Sequence, residues 1–151
     1  MSQQTRITKA CINPPGKDKG QNYNSEWAEL QVDSAVDLSG YELHHYINPE
    51  TQNREWALYY RFLQGEAFSR GDRIRVHSGN GKPKRDDDGT HHRYAADREE
   101  RGRWWLNNTG DELKLLDAGG ALVDRKAFTG EEGHCGGQGQ GEQKKPQTQY
   151  A

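Results

Sequence analysis

Between residues 6 and 128 apolar and polar side chains alternate in short runs, and no stretch keeps apolar residues at i, i+3, i+4 and i+7 long enough to mark a helix. Over residues 26–33, Ala28, Leu30 and Val32 fall on one face of a strand and Glu29, Gln31 and Asp33 on the other, with Trp27 on the outer face. Trp56, Leu58, Tyr60 and Phe62 repeat the period of two. So do Ile74 and Val76, with Arg73, Arg75 and His77 opposite them. Further strands are expected over 6–12, 41–47, 103–106, 112–116 and 121–128. Leu30, Leu43, Leu58, Ile74, Leu113 and Leu115 are the expected core, with Trp105 against them.

The breaks between these runs carry turn chemistry. Ser39-Gly40, Asn48-Pro49, Ser78-Gly79-Asn80-Gly81, Asn108-Thr109-Gly110-Asp111 and Ala118-Gly119-Gly120 supply positive φ angles and side-chain turns. Many short strands with frequent turns predict an all-β sandwich or barrel. Two long connections interrupt the pattern. Residues 13–25 are polar with Gly and Pro, and residues 79–102 are densely charged, with a short helical turn expected around 94–100. After Phe128 the composition turns to Gly, Gln and Glu, so residues 129–151 are expected to form a disordered tail dispensable for folding, and residues 1–5 a short extension.

Composition narrows the class. A chain of 151 residues fits one domain, and a hydrophobic fraction of 30% with mean hydropathy −1.23 leaves only a thin core built around its aromatic residues. With 21 basic against 23 acidic residues there is no global field for nucleic acid or an anionic membrane. No apolar run reaches the roughly 20 residues of a membrane-spanning helix, and the N-terminus lacks the pattern of a secretory signal, so no membrane insertion and a cytoplasmic location are expected. Cys11 and Cys135 lie in a strand-like run and a Gly-rich tail, which argues against a structural disulfide.

The chemistry-bearing residues form no catalytic or metal-binding spacing. Asp86-Asp87-Asp88-Gly89 lacks the alternating ligands and distal Glu of a calcium loop and reads as a solvated acidic stretch. In the adjacent pairs His44-His45 and His91-His92 the two side chains point to opposite faces of a strand. With His77 and His134-Cys135 they show no metal-ligand spacing and read as exposed polar residues. No nucleophile elbow or phosphate loop occurs, so no catalytic residue, cofactor or metal is expected. Arg73, Arg75, Lys82, Lys84 and Arg85 are the candidate nucleic-acid contacts, although residues 76–103 hold seven basic against six acidic side chains. Trp27 and Trp104 are the candidate protein-binding anchors, since aromatic anchors dominate interface energetics.

Read in order, five segments resemble the successive signatures of the lamin tail domain. They are Asn13-Pro14-Pro15-Gly16, Glu26-Trp27-Ala28-Glu29-Leu30, Asp37-Leu38-Ser39-Gly40-Tyr41-Glu42-Leu43, Gly71-Asp72-Arg73-Ile74-Arg75-Val76-His77-Ser78-Gly79, and the run from Trp105-Leu106-Asn107 through Thr109-Gly110-Asp111-Glu112-Leu113-Lys114-Leu115. Val123-Asp124 fits the closing strand, and the resemblance spans residues 6–128. It implies an immunoglobulin-like β-sandwich. The chain has no heptad rod, no long basic cluster and no prenylatable C-terminal Cys, so it resembles a stand-alone, prokaryotic-type member rather than a filament subunit. The resemblance implies a non-catalytic interaction module with a protein partner. A nucleic-acid-associated module is the alternative, and an enzyme with a site dispersed over the 79–102 loop is third. The shared motifs carry folding signals rather than a reaction site.

Overall fold

The structure, a computed structural model, describes residues 4–12, 26–46, 56–79, 81–95, 110–129 and 131–132. The expected strand at 103–106, the 13–25 connection, Trp104, Trp105, His134 and nearly all of the tail lie outside them. Eleven strands are described: β1 (Thr5–Cys11), β2 (Trp27–Val32), β3 (Val36–Asp37), β4 (Glu42–Tyr46), β5 (Trp56–Arg61), β6 (Ala67–Phe68), β7 (Arg73–His77), β8 (Lys84–Arg85), β9 (Thr90–Tyr94), β10 (Gly110–Leu116) and β11 (Leu122–Thr129). No helix among the described residues is long and apolar enough to cross a membrane.

The strands form an all-β sandwich. One sheet has the order β1-β2-β7-β9-β8, the other β11-β10-β4-β5, and β3 pairs with β6 in a separate ribbon. All pairings are antiparallel except β7 with β9. Ala28, Leu30 and Val32 of β2 and Ile74 and Val76 of β7 turn inward to meet Leu43, Leu113 and Leu115 of the other sheet, all with zero exposure. That is the alternation expected of strands with one buried face. At one side of the sandwich β1 runs against β11, where the Ile7 backbone N–H donates to Asp124 Oδ2 at 2.7 Å.

Strand β5 departs from simple alternation. His44 pairs with Leu58 and Leu43 with Tyr60, so Tyr59 is an extra residue on β5 and the register slips there. The bulge reverses the parity of the strand. Ala57, Tyr59 and Tyr60 are buried, whereas Leu58, expected in the core, is half-buried on the outer face beside Trp56. A second departure lies in the charged connection, which contains the β8–β9 hairpin. Asp86 and Gly89 make its turn through Asp86 N–H to Thr90 O (2.8 Å) and Gly89 N–H to Asp86 O (3.1 Å), with Gly89 at φ +91. Tyr94, where a helical turn was expected to begin, ends β9. Strand β11 also runs one residue past the expected boundary, and Thr129 and Glu132 then exchange reciprocal backbone-to-side-chain hydrogen bonds (2.8 and 3.0 Å).

The cysteine expectation is corrected as well. Cys11 is buried and disulfide-bonded. The chain's other cysteine, Cys135, lies outside the described residues. Sequence separation and a Gly-rich setting say little about distance in space, which alone decides whether two cysteines can bond.

Two outcomes follow from this packing. Leu113→Ala is expected to lower stability by about 2–5 kcal/mol, seen as an earlier urea midpoint with an unchanged slope. Thiol titration of the unfolded, unreduced chain is expected to find Cys11 blocked, reduction to lower stability by about 2–4 kcal/mol, and a chain cut after residue 128 still to unfold cooperatively. A free thiol at Cys11 in the unreduced chain would contradict its bonded state.

Candidate functional site

The outward face of the five-stranded sheet collects most of the side chains singled out from the sequence. Strand pairing sets Cys11 beside Trp27, Trp27 beside His77 and His77 beside Tyr94, which makes one row across β1, β2, β7 and β9. The next row holds Glu29, Arg75, His92 and Lys84. The rows interlock by stacking. The Arg75 guanidinium lies 3.8 Å from the Trp27 ring centre, and the His77 ring lies nearly parallel to Tyr94 at 4.9 Å and to His92 at 5.1 Å. Tyr94 in turn leaves no room for a side chain at Gly81, where a Cβ would lie 2.7 Å from its ring.

The arginines of this face are already engaged. Arg75 donates through Nη2 (2.8 Å) and Nε (3.1 Å) to Oε1 of Glu29, whose carboxylate is buried at 3% exposure although it points outward from the sheet. Arg73 reaches Asp88 at 3.2 Å and the Thr90 hydroxyl at 3.2 Å. Asp88 is held below the usual carboxylate range, mainly by hydrogen bonds from Thr90 and then by the charge of Arg73. Lys82, Lys84 and Arg85 are exposed on and before the edge strand β8. Of the basic candidates, the structure therefore brings Arg73, Arg75 and Lys84 onto one face but pairs both arginines with carboxylates. Trp27 is half-buried there, and Trp104 lies outside the described residues.

The histidines differ from the exposed residues expected. His45 and His92 are buried, and His44, His77 and His91 half-buried. Four sit within ion-pair distance of a carboxylate: His44 with Glu42 (2.8 Å), His45 with Asp111 (3.2 Å), His91 with Asp72 (3.2 Å) and His92 with Asp86 (2.8 Å). The adjacent pairs do face opposite ways. His92 points outward, whereas His91 lies edge-on to the core residue Phe68 at 4.9 Å, and burial pulls its pKa below the ordinary histidine value despite Asp72. Among the described residues no group of three or more potential ligands converges on a metal position.

A polar cluster that the sequence did not disclose lies inside the sandwich. Ser78, following β7, donates to Glu26 Oε1 (3.1 Å), and the Tyr59 hydroxyl proton lies between Ser78 Oγ (2.8 Å) and the Val76 carbonyl (3.0 Å). His45 meets the Tyr59 ring edge at 6.0 Å, and its Nδ1 faces Asp111. The backbone N–H groups of Tyr46 (3.2 Å) and Glu112 (2.7 Å) hold the other Asp111 oxygen. The His45 and Asp111 side chains are only 5% and 0% exposed, so the pair satisfies buried polar groups and ties β4 to β10 rather than facing a substrate. Only a tertiary structure could reveal it, because its members are spread from residue 26 to residue 111.

No protein-family model matches the chain, and no curated protein matches it in sequence.

Burial drives the Tyr59 pKa well above 10, and the charges of Glu26 and Asp111 add to this, against the hydrogen bond to Ser78. The folded state therefore keeps its proton where an unfolded tyrosine would ionise. The resulting stability is intact below about pH 10 and is lost as pH rises above it. An alkaline absorbance titration is expected to show Tyr59 ionising only with unfolding, and Tyr59→Phe to reduce the amplitude of that step by one tyrosine while lowering stability at neutral pH by about 1–3 kcal/mol. Ionisation of Tyr59 in the still-folded chain would contradict its burial.

Proposed function

We propose that this chain is a non-catalytic interaction module of the lamin tail domain type, with an immunoglobulin-like sandwich, that docks a protein partner on the outer face of the five-stranded sheet. The observation that carries the reading is the row of Trp27, His77 and Tyr94 with Arg75 stacked on Trp27. Aromatic residues and arginine are the types enriched at protein interfaces and at their energetic centres. Pairing of Arg73 with Asp88 and of Arg75 with Glu29 leaves little unbalanced charge on this face for a polyanion, which favours a protein over nucleic acid. The disulfide at Cys11 supports an oxidising compartment rather than the cytoplasm expected from the sequence.

Salt separates the two partner classes. Binding to labelled duplex and single-stranded DNA is expected to be weak at low and at moderate salt. A protein captured from the native host is expected to stay bound as salt rises and to be lost from Trp27→Ala. Sub-micromolar, salt-sensitive DNA binding abolished by changing Lys82, Lys84 and Arg85 to Gln would overturn the reading. Those three are the appropriate probes because they are exposed, whereas changing Arg75 would strand the buried Glu29.

A further inference from the structure

Within the outward face, His77 and His92 are bonded to each other. His77 Nε2 lies 2.9 Å from His92 Nδ1, and the opposite nitrogen of His92, Nε2, lies 2.8 Å from Asp86 Oδ2. An ionised carboxylate only accepts, so His92 Nε2 carries a proton. In the neutral pair His92 Nδ1 is then bare and receives the proton of His77 Nε2. A single proton fills the gap between the rings. One further proton can be accommodated, because a bond between an imidazolium and an imidazole still holds one proton between facing nitrogens and is strengthened by the charge. A second cannot, since it would point two N–H groups at each other across 2.9 Å.

The surroundings act in the same direction. Arg75 on β7 and Lys84 on β8 are both register partners of His92. Glu29 on β2 is taken by Arg75, the neighbours Trp27 and Tyr94 are uncharged, and the Asp86 carboxylate is bonded to His92. The Asp86 carboxyl is held below the usual range, first by its hydrogen bond from His92 and further by the charges of His92 and Lys84, so it stays ionised through the histidine range. With Arg75 balanced by Glu29, Lys84 stands against Asp86, so the carboxylate bonded to the pair is already opposed by a cation when a second proton arrives.

We propose that His77 and His92 act as one proton-coupled unit that holds the aromatic row together while it carries at most one added proton, and that a second proton breaks the bond, unstacks His77 from Tyr94 and remodels the face in acid. The site is the one read above as the docking face, and this regulation of docking rests on that reading, but the proton coupling is measured on the chain alone.

The test is an NMR titration of histidine rings in the full chain from pH 8 to pH 4, for the parent, His77→Gln and His92→Gln. The expected parent behaviour is two separated steps, the second at least about one pH unit below the midpoint of the remaining histidine in either variant. Tyr94 ring resonances and Trp27 fluorescence are expected to move with the second step. Asp86→Asn is expected to lower the first step. Independent titration, with each remaining histidine unchanged from its parent midpoint, would overturn the proposal, as would a second step that leaves the Tyr94 ring unmoved. The parent's own two steps and the Tyr94 response decide the matter even if a variant fails to fold. Loss of docking by Trp27→Ala is a separate result, so the two readings fail or survive apart.

Discussion

A tyrosine buried between two sheets must find a partner for its hydroxyl there, and in this protein the partners belong to the facing sheet. Tyr59 on β5 reaches the Val76 carbonyl and the Ser78 hydroxyl at the end of β7. The reach depends on the bulge, which turns Tyr59 and Tyr60 inward in succession, so that one ring enters the polar cluster while the other packs edge-on to Phe62 at 4.9 Å. Fixing Val76 against Tyr59 fixes the pleat of β7. Arg75 and His77 are then obliged to point outward, where they meet Trp27, Glu29 and Tyr94. The outer face is thus set from within, through one strand whose two sides serve the core and the surface alternately.

Regular alternation made β2 and β7 legible in the sequence, down to which residues face the core. The same rule misplaced Leu58, because an inserted residue leaves no mark in composition: Tyr59 and Tyr60 are equally suited to a core, and only the register against β4 shows that both enter it. Strand β9 was hidden for a different reason. Its inward positions are His91 and Arg93, polar residues made acceptable inside by Asp72, Glu66 and contact with Phe68, so no apolar period announces it. The basic residues were correctly placed on the outside of β7, but their charge could not be counted until the carboxylates facing them were known. Glu29 was legible as outward-pointing and illegible as buried, since its cover is supplied by Arg75 from another strand.

The cysteines show the same limit in its sharpest form. Proximity in a folded chain depends on topology. Strand β1, which ends at Cys11, lies against β11, the last strand in sequence among the described residues. A disulfide restricts the unfolded ensemble, which matters more where buried apolar surface is scarce.

Charge on the outer face is matched locally rather than in total. Arg75 is matched by Glu29, Arg73 by Asp88 and His92 by Asp86, so at neutral pH the face is stacked rings with paired ions rather than a field. Such pairing makes recognition depend on shape and contact, because a partner must fit the rings before it gains anything from the ions. It also makes the face sensitive to protons in a way that an unpaired surface is not. With Glu29 and Asp88 held by arginines, protons added to the coupled histidines are met by Asp86, which His92 already bonds. Acid therefore adds positive charge to a stacked row whose ions are already paired, and the second such proton is the one proposed to part the rings.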